Sequence, residues 1–146
     1  MALDLGVLGA AVDLRQLLGD REVDGDPQLD QTVEQIRARW DGPLTADCDS
    51  AASAHRAAAL GIELIGTTLA GYTPARQKTT GPDLALLTEL AGTLPETSML
   101  VAEGRVHTLD QAPAAKAAGA DAVVVGTAIT HPTSITRWFH AAVTGA

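Results

Sequence analysis

The stretch Met99-Leu100-Val101-Ala102-Glu103-Gly104-Arg105 decides the fold. Four apolar residues in a row make a strand covered on both faces, and a carboxylate, a glycine and a guanidinium follow at once. A second stretch repeats the plan: an apolar run over residues 62–66 leads into Thr67-Thr68-Leu69-Ala70-Gly71-Tyr72-Thr73. Strands of this kind, each followed by a polar, glycine-bearing loop, belong to parallel β/α folds. In such folds the edge where the strands end carries the chemistry.

Outward from these two runs, strands and helices alternate. Residues 7–12 form an apolar strand ending at Asp13, and the charged, glycine-punctuated residues 15–26 form a loop. Residues 28–40 place Leu29, Val33, Ile36 and Trp40 on one helical stripe, which Gly42-Pro43 stops. Leu44-Thr45-Ala46-Asp47 is the next strand. Ser50 caps an alanine-rich helix to Leu60, and Gly61 terminates it. After the strand at 62–66 comes a long loop, 67–81, then a helix with Pro82 in its first turn and Leu84, Leu87 and Leu90 on one face. Thr108 and Gln111 stand at capping-box spacing and open a helix through Ala118. Val123-Val124-Val125-Gly126 is the fifth strand, and residues 132–143 close the chain as a helix.

This alternation predicts an α/β fold with a parallel sheet of the TIM-barrel type. The whole chain, 1–146, reads as a single domain. A complete barrel needs about 250 residues, so 146 residues are expected to supply only about five βα units of an incomplete barrel. Such an arc leaves sheet edges with unpaired N–H and C=O groups. Self-association or docking with a complementary N-terminal half is therefore expected.

A net charge of −8 disfavours nucleic acid and anionic membrane as partners, since both require basic patches. Backbone N–H groups, helix N-termini and one or two arginines still suffice to hold a small anion. The single cysteine, Cys48, rules out a disulfide framework and reads as a small buried thiol. No segment approaches the ~20 apolar residues of a membrane span, and the apolar N-terminus lacks the positive region of a signal peptide. A cytoplasmic protein is expected.

The residues able to carry chemistry cluster at strand ends. Glu103, in a partly desolvated mouth, suits a general acid or base; a salt bridge to Arg105 or a helix-dipole contact is the alternative. Arg105 suits a phosphate clamp or a solvated cation. Asp47 either orients a catalytic group or caps the helix beginning near Ser50. Gly126-Thr127 ends the last strand, where glycine lets the backbone approach an anion, and Gly104 ends the strand before it. Together they fall where barrels build a phosphate site. Tyr72, Thr67 and Thr68 are able to hydrogen-bond a sugar. His55, His107, His131 and His140 lack metal-ligand spacing, so no metal site is expected, and no dinucleotide or P-loop fingerprint occurs.

Four of these stretches, in order and spaced by whole βα units, resemble the N-acylmannosamine-6-phosphate 2-epimerase family: Thr45-Ala46-Asp47, Gly66-Thr67-Thr68-Leu69-Ala70-Gly71-Tyr72-Thr73, Ala102-Glu103-Gly104-Arg105-Val106-His107-Thr108, and Val123-Val124-Val125-Gly126-Thr127-Ala128-Ile129-Thr130. The likeness covers residues 45–143 and is looser before them, where Asp13 is matched to the acid ending strand four. It implies a TIM barrel that interconverts N-acetylmannosamine 6-phosphate and N-acetylglucosamine 6-phosphate without a cofactor, in aminosugar and sialic acid catabolism. Glu103 would be one of two acid/base residues, with Asp47 supporting the other. Gly104, Arg105, Gly126 and Thr127 would hold the phosphosugar. Acidity at the inverted carbon comes from the aldehyde of the opened sugar, so two bases on opposite faces suffice.

The family's catalytic lysine, on an early strand, has no counterpart here. Lys116 lies within a helix, and Lys78 lies in the 67–81 loop at an unmatched position. Ala70 and His131 depart from an expected serine and an expected basic residue. Two other readings stand beside the epimerase: a non-catalytic phosphosugar-binding half-barrel, and a different phosphate-binding barrel enzyme.

Overall fold

The computed structural model describes residues 10–12 and 27–145. The expected strand-ending Asp13 and the expected loop at 15–26 lie outside the described residues.

Among the described residues eleven elements follow one another: β1 (Ala10–Val12), α1 (Pro27–Arg37), β2 (Leu44–Asp47), α2 (Ala51–Ala59), β3 (Leu64–Gly66), α3 (Leu84–Ala91), β4 (Met99–Ala102), α4 (Gln111–Ala117), β5 (Ala122–Val123), α5 (Thr127–Thr130) and α6 (Pro132–Thr144). The strands form one sheet in the order β1-β2-β3-β4-β5, and every neighbouring pair is parallel. Strictly sequential order is what a barrel segment requires; a doubly wound sheet reverses direction at a switch point. The fold is therefore a five-strand arc of a parallel (β/α) barrel.

Strand side chains alternate between two faces. Leu44, Ala46, Ile65, Leu100 and Ala102 point to the helices and join Ala54, Ala57, Leu86, Leu87 and Leu90 in one core. Consecutive helices touch: α2 packs on α3 and β3, and α3 on α4 and β4. The other face carries Asp47, Gly66 and Val101 in one register row. Its cover is thin, for Met99 is 46% exposed and Val124 is 40% exposed.

The two ends of the sheet differ in character. At the end where strands begin, Arg37 bridges both Glu63 carboxylate oxygens at 2.7 Å and donates to the carbonyls of Gly42 and Gly61. Glu63 also accepts from Leu44 N, and Asp121 accepts from Leu100 N. These contacts lock strand starts to helix ends, the role that this face plays in barrels.

Several element boundaries differ from those expected. The first helix stops at Arg37 rather than running to Trp40. Trp40 leaves the stripe because its ring covers Gly42 and its indole N–H donates to Pro43 O. Pro82 precedes α3 instead of entering it, since the Asp83 carboxylate accepts from Leu86 N and takes the cap position. The helix expected from Thr108 begins at Gln111, whose side-chain oxygen reaches back to the N–H groups of His107 and Thr108. The fifth strand is Ala122–Val123, shorter than the apolar run, because the chain leaves the ladder after Val124 N bonds Ala102 O. Ser50 caps α2 through a capping box with Ser53, and Gly61 follows that helix at φ 75°, both as expected.

Candidate active site

At the end where strands finish, Thr68, Leu69, Tyr72, Glu103, Gly104, Arg105, Val106, His107, Val124, Gly126 and Thr127 line a cleft of about 360 Å³. The loops after β3, β4 and β5 all contribute. Six of the expected site residues therefore meet there: Tyr72, Glu103, Gly104, Arg105, Gly126 and Thr127. Asp47 lies just beneath, tied in by the Thr68 hydroxyl, which donates to its Oδ1 at 2.6 Å.

Glu103 follows β4 directly and is half-buried. Burial pushes its carboxyl up from the ordinary glutamate value, and the Asp47 carboxylate pushes it further. A hydrogen bond from Thr68 would act the other way. The result is a carboxylate primed to accept a proton, the property that a general base in a desolvated mouth needs. No ion pair joins Glu103 to Arg105 among the described residues, so the salt-bridge alternative has no support in the geometry. Nor does Asp47 cap α2; Ser50 does that.

The turn after Glu103 is held in an unusual backbone. Gly104 has φ 97° and Arg105 φ 59°, the latter the one described non-glycine residue with positive φ. A Cβ on Gly104 would stand 3.2 Å from Thr68 O, so the position favours glycine twice over. A left-handed non-glycine residue costs about 1–3 kcal/mol and persists only where its surroundings fix it. Arg105 is fixed by its own guanidinium: Nε donates to Gly81 O, Nη1 to Ala70 O at 2.7 Å, and Nη2 to Thr79 Oγ1. It is only 8% exposed, so it is not the solvated cation that its type suggests. Of five N–H groups three are committed, leaving two for a ligand. The Tyr72 ring lies 5.1 Å from it and 5.0 Å from Lys78 Nζ.

Thr67 requires a correction. Expected to touch substrate, it is 2% exposed, and its hydroxyl both donates to Glu103 O at 3.0 Å and accepts from Glu103 N at 3.1 Å. All its hydrogen-bonding capacity toward the strand end is spent on holding Glu103 in place. The neighbouring Thr68, not Thr67, bonds the Asp47 carboxylate. Strand parity separates them: Thr68 shares a face with Gly66 and Asp47, and Thr67 shares one with Ile65.

Gly126 caps the short helix α5, and a Cβ there would meet nothing within 4 Å, so the space above the turn is open. His107 enters the cleft with its ring against Trp138 of α6, centroids 4.7 Å apart; its place here was not legible from the sequence. His131 caps α6 by accepting from Ser134 N, and His55 bonds Thr93 on the outer surface. Lys116 donates to Asp121 O at the far end of the sheet. Cys48 is fully buried, and burial pushes its thiol up to about 12, so it is inert. No group of described residues has the makings of a metal site. No described helix is long and apolar enough to cross a membrane.

A parallel barrel arc with an acid and two glycine turns at its carboxyl edge puts these groups where (β/α)-barrel enzymes carry their active sites. Comparison with known proteins goes further. Residues 16–145 match the NanE family model, described as "Putative N-acetylmannosamine-6-phosphate epimerase", and the chain belongs to that family. A "Putative N-acetylmannosamine-6-phosphate 2-epimerase" of Cutibacterium acnes is 48% identical over 134 residues, which are 91% of this chain and 58% of the relative. A "Bifunctional enzyme NanE/NanK" of Brucella melitensis is 46% identical over 101 residues, 69% of this chain and 19% of that one. The solved N-acetylmannosamine-6-phosphate 2-epimerase of Clostridium perfringens superposes with a TM-score of 0.71 at 34% identity, covering 77% of this chain and 48% of that one. The chain thus spans little more than half the length of the Cutibacterium relative.

Proposed function

We propose that this chain carries the acid/base and phosphosugar-binding edge of an N-acetylmannosamine-6-phosphate 2-epimerase. One observation supports this reading above the others: Glu103 and the Gly126-Thr127 turn line the same cleft, in a chain of the NanE family. The substrate phosphate sits on the backbone of Gly104, Gly126 and Thr127 and on the two free N–H groups of Arg105, with Tyr72 against the sugar. With the sugar opened to its aldehyde, the carbon bearing the acetamido group is acidic. Glu103 takes its proton on one face, and Asp47 keeps the neighbouring charge that raises Glu103's affinity for it.

Inversion needs a second group on the opposite face. No lysine lines the cleft among the described residues, and Lys78 stands behind the Tyr72 ring. The second group comes from further (β/α) units, supplied by a second copy or a complementary segment that covers the thinly packed inner face. The setting is the cytoplasm, where phosphorylated sugars are retained.

The test is incubation with N-acetylmannosamine 6-phosphate in heavy water. Deuterium entering the carbon that bears the acetamido group, and its loss in Glu103→Gln, supports the epimerase. Binding with no exchange, equal in wild type and Glu103→Gln, supports instead a non-catalytic phosphosugar-binding module.

A further inference from the structure

The cationic side chains of the β4 loop are drawn to opposite sides of the cleft. Arg105 turns its guanidinium toward the 67–83 loop, bonding Ala70, Thr79 and Gly81. His107, two residues on, goes the other way: its ring lies against Trp138 of α6, centroids 4.7 Å apart and planes inclined by 40°. α6 packs on α5, which opens at the Gly126-Thr127 turn, so the imidazole stands on the side of that turn. Val124, Gly126 and Thr127, which line that side, bring no charged group. The cleft side chain able to bring a positive charge there is His107.

Its attachments leave the ring free for a ligand. The His107 backbone N–H donates to Gln111 Oε1 at 2.7 Å, which fixes the main chain, and Trp138 supports the ring. Neither ring nitrogen has a hydrogen-bond partner among the described residues. The His131 and His55 rings, by contrast, are engaged by Ser134 and Thr93. At about 360 Å³ the cleft is at the small end of ligand pockets, so a phosphosugar that fills it meets this ring.

We propose that His107, as imidazolium, is a phosphate-binding residue, donating a ring N–H to a phosphate that rests on the Gly126-Thr127 turn. The proposal rests on the reading of this cleft as the phosphosugar site. Backbone N–H groups of the turn position the phosphate but carry no net charge; His107 adds the charge, and with it a pH dependence that an arginine does not have. By reciprocity, bound phosphate favours the protonated ring and the protonated ring favours phosphate. The other charged and titratable groups on the elements around His107 are Glu103 and Arg105 on its own loop, exposed Asp110 ahead of α4, and exposed Arg137 and His140 on α6; α5 carries none. Of these only Glu103 and Arg105 line the cleft, and Arg105 is committed to its far side.

The experiment is an NMR titration of the imidazole signals of the full chain across about pH 5–8, with His107 assigned by the loss of its signal in His107→Gln. Saturation with N-acetylmannosamine 6-phosphate is expected to raise the proton affinity of His107 at least about fivefold, the low end of coupling between two binding events. His55, His131 and His140 stay unmoved, and so does His107 when N-acetylmannosamine without phosphate is added. In binding assays His107→Gln, which keeps a donor but no charge, holds the phosphosugar about fivefold more weakly than wild type at about pH 6.5 and equally well at about pH 8.5. An unmoved His107, while the amides of 103–105 and 126–127 respond to the phosphosugar, overturns this proposal alone. A weakening in His107→Gln that is the same at both pH values, or a His107 response to the sugar without phosphate, also overturns it. If neither His107 nor those amides respond, the reading of the cleft as the phosphosugar site fails, and this proposal with it.

Discussion

Glu103, the proposed acid/base group, is held at the expense of stability. Its carboxyl is pushed above the ordinary value of 4.5 by burial and by Asp47. A raised acid is at no disadvantage while protonated, in acid below the unfolded value, and destabilises the fold once it ionises as pH rises through the folded value. Glu103→Gln should therefore melt at a higher temperature than wild type at pH 7, with the difference vanishing below about pH 4, where both states are protonated. Equal melting temperatures at both pH values would show that the carboxylate is not desolvated. Thr67 is the opposite case, a buried hydroxyl with purely internal partners. Thr67→Val leaves the Glu103 N–H and C=O without them and should cost about 1–3 kcal/mol in denaturant unfolding, while Thr67→Ser should cost much less. Both threonines occur in one Thr-Thr pair, and the sequence treats them alike. Only their parity on the strand end decides that one braces the Glu103 backbone and the other bonds Asp47.

At the scale of elements, the 67–83 loop is sewn down from two sides. Asp49, despite its burial, is held below the ordinary aspartate value by hydroxyl donors from Thr73, Ser50 and Ser53, which joins the loop to the start of α2. Arg105 grips the loop at Ala70, Thr79 and Gly81. Lysine in place of Arg105 keeps the charge but loses the planar fork. Arg105→Lys should accordingly speed proteolytic cleavage within residues 74–81 at least several-fold with little change in overall secondary structure; unchanged cleavage would show that the loop is held elsewhere. This clamp explains what was legible in the sequence and what was not. Met99–Ala102, Leu44–Asp47 and the Ser50 cap depend on local pattern, and the chain shows them directly. The shortened fifth strand depends on a contact between segments, and Trp40 and Pro82 turn on which of several competing short-range contacts forms, the Pro43 carbonyl for one and the Asp83 cap for the other; a periodic pattern weighs neither. The same holds for the site: Glu103 announces itself at a strand end, whereas the His107 ring in the cleft packs on Trp138, thirty-one residues later, a contact that local pattern does not show.

Across the whole molecule, a well-packed outer layer of helices contrasts with a sparsely covered inner face. Met99 and Val124 are open there, and α6 has no buried residue, with Phe139 72% exposed. Exposed apolar side chains of this size favour association. Sedimentation should accordingly find species larger than one chain, and a monodisperse monomer with a cooperative melt would contradict the barrel-arc account of partners. The central claim is that the carboxyl edge of the sheet forms one phosphosugar site. Its most direct test is to add N-acetylmannosamine 6-phosphate to nitrogen-15-labelled chain and follow the amide resonances. The account predicts saturable shifts concentrated at residues 103–105 and 126–127, two segments brought together only by the fold. Shifts confined to one segment, or clustered at the Arg37–Glu63 end of the sheet, would contradict it.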